Sequence, residues 1–369
     1  MLQHLVTGRR RPHHHEIVKQ FPLVDVMATQ TERLIYELAQ RARATWYMGH
    51  YELARRTAPR TDAPPPPAGR MPERKAILDD LAALFSQDWA NIEAGHYRPP
   101  YDLLPRPLRG LNNSIQFFRD LPAVHRRRRD RVNDEVFSAP HRGRYPRYYL
   151  QNFHFQSDGY LSRESARLYD HQVETLFSGG ADAMRRQALV PIGRFLSTNG
   201  ARASRMLDVA CGTGRFLTFV KDNHPRLDVT GVDLSHPYLA EAGRALRRWS
   251  WVRLLQANAE TLPFADAAFD LVTTIYLFHE LPKKVRRTVA AELARVVRPG
   301  GQVVFVDSIQ RGDWPAYDDL LDRFPIGYHE PYYKDYVRDD LGALFAAVGL
   351  EPLSVERAFF SRVMVMERR

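Results

Sequence analysis

Apolar residues recur at helical spacing between Val26 and Arg56, at Leu34, Ile35, Leu38, Ala42 and Trp46, with no proline among them. That pattern predicts a long amphipathic helix. The stretch near 59–72, with Pro64 to Pro67 in a row, lacks the backbone donors a helix needs and predicts a stiff, extended connector. A second helix is predicted from Glu73 to about Ala94, with Ile77, Leu81, Leu84, Phe85 and Trp89 on one side. Beyond it, Pro99, Pro100, Pro105 and Pro107 predict irregular chain. From Tyr145 to Ser162 the sequence alternates, is crowded with aromatic rings and reaches Asp158-Gly159, which predicts an extended piece closed by a turn. Core or docking contacts are the favoured role for those rings over the wall of a pocket.

Helical spacing returns from about Arg163 to Phe177 and from Ala181 to Leu196, interrupted at Ser178-Gly179-Gly180. After that, short apolar strands alternate with helical stretches, as a parallel α/β sheet requires. The chain therefore divides into a mainly helical region, residues 1–160, and an α/β region, residues 161–369. Two units suit a length of 369 residues, and 44% hydrophobic content is enough to build their cores.

Charge changes this picture in one place. Residues 1–160 hold 25 Lys and Arg against 17 Asp and Glu, whereas residues 161–369 hold 28 against 26. The densest run, His125 to Arg131, has the composition to attract nucleic acid or an anionic membrane surface, but Asp130, Asp134 and Glu135 lie close enough to offset it. A solvated helix face is the favoured reading, leaving nucleic acid and peripheral membrane contact as secondary ones. No apolar run approaches the length of a membrane span and no signal-like segment opens the chain, so a cytoplasmic protein is expected. The lone Cys211 cannot pair within the chain and reads as a packing residue. His13 to His15 has no second ligand cluster beside it, and no metal is expected.

The candidate chemistry begins at Arg205 to Ala210, a compact apolar strand that runs into Cys211-Gly212-Thr213-Gly214 and then a helix near Arg215. Strand, glycine turn and helix together let bare backbone approach a ligand while the helix start offers unpaired N–H groups. A second strand, Asp228 to Val232, ends in Asp233, placed 19 residues after Gly214, where a carboxylate accepts from both hydroxyls of an adenosine ribose. The third glycine of the dinucleotide pattern would fall at 217, which is Leu217, so a nicotinamide dinucleotide is disfavoured.

Four segments in order resemble the class I S-adenosylmethionine (SAM)-dependent methyltransferases, in particular the ubiquinone/menaquinone C-methyltransferase (methyltransferase type 11) branch. They are LDVACGTGRF at 207–216, VTGVDLS at 229–235, QANAETLPFADAAFDLVTTIYLFHEL at 256–281 and RVVRPGGQVVFVD at 295–307. The resemblance implies a Rossmann-like domain with a mostly parallel seven-stranded sheet, SAM as cofactor and a small methyl acceptor. It also implies a role for each matching residue. Asp208 would orient the turn or meet the methionine amino group, Ala210, Gly212, Thr213 and Gly214 would present backbone to the methionine part, and Asp233 would hold the ribose. Leu234, Asn258 and Ala259 would surround the adenine, and Ile275 and Tyr276 would lie beside the sulfonium. Asn258 departs from the family, which has Gly-Asp where Ala257-Asn258 stands. Tyr169-Asp170, Ser178-Gly179 and Arg185-Arg186 resemble the pattern leading into the quinone methyltransferase core, with Tyr169 over the SAM site.

Tyr169 and His279 are the catalytic candidates, and His329 is a further candidate base if the acceptor is a phenol, quinol or enol. The aromatic insert from Asp313 to Asp335 is expected to overhang the substrate mouth and to select a hydrophobic or aromatic acceptor. Two alternatives stay open: a nucleic-acid or protein methyltransferase that grips its acceptor with the basic region, and a non-catalytic SAM-binding scaffold.

Overall fold

The computed structural model describes residues 29–58, 69, 71–104, 107–138 and 140–369. Most of the proline-rich connector and His13 to His15 lie outside the described residues. The first helix, α1 (Gln30–Thr57), opens on a capping box: Thr29 accepts from the Glu32 N–H, and the Glu32 carboxylate accepts from the Thr29 N–H at 2.7 Å. Such a cap contributes about 1 kcal/mol. Next comes α2 (Arg74–Glu93), then, after the irregular chain at 98–104 that the prolines predicted, α3 (Pro107–Asp130), a helix the sequence pattern did not predict. Pro107 occupies the first turn, where a missing N–H leaves no intrahelical bond unmade. The basic run is the end of this helix, and two of its arginines are engaged internally. Arg127 pairs with Glu135, and the Arg128 guanidinium lies 5.4 Å from the centre of the Tyr328 ring.

The Tyr145 to Ser162 stretch is not extended. It folds into short 3-10 turns at Arg147–Tyr149 and Phe153–Phe155, because His154 and Phe155 take positive φ values of 53° and 56° and turn the chain back on itself. Helix α4 (Arg163–Leu176) follows, capped by Ser162. The single helix predicted to Leu196 is two, α5 (Ala181–Arg186) and α6 (Leu189–Asn199). Pro191 explains the break, since it has no N–H to offer the Gln187 carbonyl and its ring crowds that oxygen.

The sheet begins with β1 (Arg205–Val209), α7 (Arg215–Asn223), β2 (Asp228–Asp233), α8 (His236–Leu246) and β3 (Val252–Gln256). It continues with β4 (Phe269–Ile275), α9 (Lys283–Val296), β5 (Val297–Ser308), α10 (Asp318–Gly327), α11 (Tyr333–Tyr336) and α12 (Leu341–Ala346), and closes with β6 (Leu350–Ala358) and β7 (Ser361–Arg368). The strand order is β3-β2-β1-β4-β5-β7-β6, with only β7 running against its neighbours. This is the seven-stranded, mostly parallel, Rossmann-like sheet expected. Side chains alternate between its faces: Met206, Val304 and Val306 pack with α5, α6 and α7, while Leu207, Val303 and Phe305 pack with α9 and α12. Chain order reverses between β1 and β4, so the crevice opens at the carboxyl ends of these strands.

The helical N-terminal region docks on one face through a buried polar clamp. Asp88 of α2, fully buried, pairs with Arg186 of α5 at 2.5 Å and accepts hydrogen bonds from Tyr36 and Tyr97. Tyr36, Ala44, Leu81, Leu84 and Trp89 share one apolar cluster with α5, α6 and the sheet.

Candidate functional site

Along β1 every residue after Arg205 is buried, and the strand delivers the chain to Ala210, whose φ of 62° is left-handed without glycine's freedom. Strain of this kind collects where a surrounding site fixes the backbone. Gly212 (φ 55°) and Gly214 (φ 72°) follow, for different reasons. A Cβ on Gly214 would lie 3.0 Å from the Ala242 side chain, so glycine lets α7 approach α8. A Cβ on Gly212 would meet nothing within 4 Å, since the turn there faces an open cleft. Tyr276, at the end of β4, also has positive φ, 59°.

Asp233 ends β2 opposite this turn. One carboxylate oxygen accepts from the Gly212 N–H at 2.8 Å and the other from the Ser235 N–H at 2.7 Å, so the carboxylate ties the two strand ends together. Burial pushes its pKa up to about 6, against the opposing pull of the backbone N–H groups of Ser235, Gly212 and Leu234. A partly desolvated carboxylate with spare lone pairs on a cleft suits a ligand that brings hydroxyl donors.

This turn and Asp233 open on a cleft. Of the cofactor residues expected from the sequence, it brings together Ala210, Gly212, Asp233, Leu234, Asn258, Ala259 and Tyr276, with Ile275 beside them. Asp208, Thr213 and Gly214 stand behind the wall. Asp208 is buried and accepts from Thr273 at 2.6 Å, and burial pushes its carboxyl up to about 7. Thr213 donates to Asp170 at 2.9 Å. The Asn258 amide oxygen accepts from the Glu260 N–H at 3.0 Å and so closes its own turn. A purine beside Leu234 and Ala259, a ribose at Asp233 and an amino-acid tail over bare backbone at Gly212 all fit this lining.

The same cleft is rich in aromatic rings. Tyr148, Tyr149, Tyr160, Tyr169 and Tyr238 line it, so the ring-rich segment before α4 does wall the pocket, contrary to the role favoured from its composition. Conversely, Tyr328 and Tyr332 of the insert do not line the cleft; Phe324 and Tyr328 pack on His154, while the Tyr332 hydroxyl accepts from Gln151. Tyr169 lies 6.0 Å from Tyr160 and 5.4 Å from Tyr238, edge to face. Burial pushes the hydroxyl pKa values of Tyr149, Tyr160 and Tyr169 upward, so these rings act as neutral phenols. The other residues of the pre-core pattern support the wall from outside: Arg185 pairs with Asp182 at 3.1 Å and its guanidinium lies 5.9 Å from the Tyr276 ring centre.

The polar end of this aromatic lining is Glu280, the residue after the candidate His279. Glu280 lines the cleft and accepts from the Tyr160 hydroxyl. His279 lies behind it, with Nδ1 2.6 Å from Asp307 and Nε2 3.9 Å from Glu280. Burial pulls the His279 pKa down, but Asp307 outweighs it and holds the imidazole up at about 9. Both nitrogens of His329 are engaged, by Asn133 at 3.2 Å and Gln151 at 2.8 Å. The signal for Glu280 was its position: it follows β4 by five residues, at the strand ends where an α/β cleft takes its functional groups.

The family profile described as a methyltransferase domain matches residues 206–301. Over 147 residues the chain is 35% identical to the phosphatidylethanolamine N-methyltransferase of Cereibacter sphaeroides, covering 38% of this chain and 70% of that protein. It is 37% identical over 145 residues to the demethylmenaquinone methyltransferase of Thermus thermophilus, covering 39% of this chain and 62% of that one. A demethylmenaquinone methyltransferase of Bacillus licheniformis is 36% identical over 113 residues, and there the chain spans 48% of its length and the match 30% of this chain. Among solved structures, the YcgJ protein of Bacillus subtilis superposes with a TM-score of 0.35 at 26% identity, covering 45% of this chain and 70% of that chain.

Proposed function

This chain belongs to the class I SAM-dependent methyltransferases and is an enzyme of that kind, and from that premise we propose that it methylates a small, hydrophobic or aromatic acceptor at carbon or oxygen. The observation that carries the reading is one cleft that combines nucleoside contacts with a wall of tyrosines. The Asp233 carboxylate and the bare Gly212 backbone offer the nucleoside contacts, and Tyr149, Tyr160, Tyr169 and Glu280 line the same space.

Bound SAM supplies an electrophilic methyl group on a sulfonium. The protein's own part is alignment and exclusion of water. Asp233 accepts from the ribose hydroxyls, Leu234 and Ala259 flank the purine, and the backbone from Ala210 to Gly212 follows the amino-acid tail. Ile275 and Tyr276 line the cleft at the end of β4 and, as the resemblance implies, would stand beside the reacting carbon. Tyr149, Tyr160 and Tyr169 enclose the acceptor and keep water from solvating its nucleophilic atom, while Glu280 and the Tyr160 hydroxyl orient the acceptor's polar end. His279 acts through Glu280 and holds it in place.

Two relatives act, by their names, on a lipid amine and on a naphthoquinone precursor, and both acceptors combine an apolar body with a polar reactive end. The engagement of Arg127 and Arg128 inside the protein takes support away from a basic surface that grips nucleic acid. The test is transfer of radiolabelled methyl from SAM to a panel of quinols, phenols, phosphatidylethanolamine and RNA. Label in a quinol, phenol or other apolar acceptor supports the proposal. Label in RNA alone, or only on the amine of phosphatidylethanolamine, would overturn it.

A further inference from the structure

We propose that His154, Glu280 and Glu330 form a site for one divalent transition-metal cation, of the zinc or manganese kind, at the acceptor end of the cleft; the inference rests on the acceptor reading above. The three residues come from separate parts of the chain: a 3-10 turn before α4, the turn after β4, and the loop between α10 and α11. One donor atom from each lies within 4.8 Å of the other two. A cation bonded to three such donors at about 2.0–2.2 Å holds them no more than about 4.4 Å apart. Three such donors spread around one cation lie within about 3.8 Å of one another, so side-chain movement of up to about 1 Å closes the set.

Glu330 supplies the independent observation. It is only 2% exposed; its Oε1 is paired with His154, and its Oε2 accepts no hydrogen bond. Its near polar neighbour is His154 Nε2 at 3.0 Å, in the direction of the cluster. A buried carboxylate normally has its lone pairs filled, and an unfilled one points to a missing ion or water. Glu280 adds a second carboxylate to the same space, and Tyr160 satisfies it with one hydrogen bond. The neighbouring imidazole of His279 is already committed to its own carboxylate, Asp307.

One imidazole nitrogen and two carboxylate oxygens, with no thiolate, suit zinc or manganese better than copper(I), and the imidazole disfavours magnesium and calcium. Because Glu280 lines the cleft, the cation's remaining positions face the space assigned to the acceptor, where water or an acceptor oxygen completes the shell. The insert after β5 thus contributes a ligand, Glu330, in place of the aromatic cover its composition predicted.

The test uses the full chain carrying His13→Ala, His14→Ala and His15→Ala, so that this tract does not take the metal, after dialysis against chelator. Zinc, manganese and magnesium chlorides are titrated separately by calorimetry, and thermal unfolding is followed with each. The proposal expects one saturable site for zinc or manganese and none for magnesium. At a hundredfold excess over Kd the midpoint should rise by roughly 3–4 °C. Glu330→Gln and His154→Ala should each weaken binding at least tenfold and abolish the thermal shift, with SAM affinity unchanged.

Absence of a saturable site in the parent, or binding that survives in both variants, would overturn the proposal. If one variant does not fold, the other decides. SAM calorimetry on the same samples separates the two claims: intact SAM binding without metal binding sinks this inference alone, whereas loss of both sinks the cleft reading with it.

Discussion

Replacing Asp233 with alanine removes the group that orders the cleft and that the proposed reading sets against the nucleoside. In the free protein its two oxygens hold the Gly212 and Ser235 N–H groups at 2.8 and 2.7 Å, and each oxygen has a lone pair left for a ribose hydroxyl. A hydrogen bond to a charged acceptor contributes about 1.5–3 kcal/mol, and tenfold in affinity corresponds to about 1.4 kcal/mol. Water takes back part of this by entering the space the carboxylate leaves, so the net loss for SAM is placed at roughly ten- to hundredfold. Isothermal titration with SAM measures it directly. Asp233→Asn is the informative companion, because it keeps the shape and one carbonyl acceptor but not the charge, and it should fall between wild type and alanine. Urea unfolding of each variant distinguishes a lost contact from a lost fold. A Kd for the folded alanine variant within twofold of wild type would refute the placement of the ribose.

Three further outcomes follow from the same geometry. Since burial places the Asp233 pKa at about 6, SAM affinity should be steady above pH 7 and fall as pH drops through 6, with proton release on binding near the midpoint; calorimetry in buffers of different ionisation enthalpy reads both, and a flat profile from pH 5 to 8 counts against it. The sign for the ligand-free fold is the reverse: a carboxyl raised from its ordinary value contributes stability that is present below about pH 4 and is lost as pH rises through 6. Tyr149→Ala and Tyr169→Ala should raise the acceptor KM about tenfold or more while leaving SAM affinity within twofold, whereas Tyr328→Ala should act on neither; steady-state kinetics with the acceptor found in the methyl screen decide this. Asp88→Asn leaves the Arg186 charge buried without its partner and should cost about 3–5 kcal/mol in chemical unfolding; a change below 1 kcal/mol would show that the clamp between the helical region and the sheet is not what holds them together.

The α/β region was readable because its signals are local. The strand, glycine turn and helix from Arg205 to Asn223, and the carboxylate 19 residues on at Asp233, each follow from neighbours in the chain, and the structure places them as the spacing implies. What failed depended on contacts distant in sequence. Aromatic alternation from Tyr145 to Tyr160 looked like a strand, yet two left-handed residues, His154 and Phe155, fold it into the cleft wall, and nothing local marks a histidine or phenylalanine for positive φ. The insert rich in tyrosine looked like the cover of the mouth, but its rings close on His154 and Gln151 instead. His279 drew attention as the titratable ring after β4, while Glu280, one residue on, is the group that faces the cleft. Which of two adjacent residues points inward is set by the turn geometry and by Asp307 in β5, which holds the His279 ring back. The cluster that joins His154, Glu280 and Glu330 spans 176 positions of sequence, and only the folded chain brings those donors together.

The account stands or falls on where the nucleoside lies, and the most direct measurement is a structure of the protein with S-adenosylhomocysteine. The account predicts a ribose within hydrogen-bonding distance of both Asp233 oxygens, the purine between Leu234 and Ala259, and the sulfur beside Tyr276, facing the tyrosine wall. A ligand found elsewhere, or a cleft that side chains fill at saturating ligand, would contradict it.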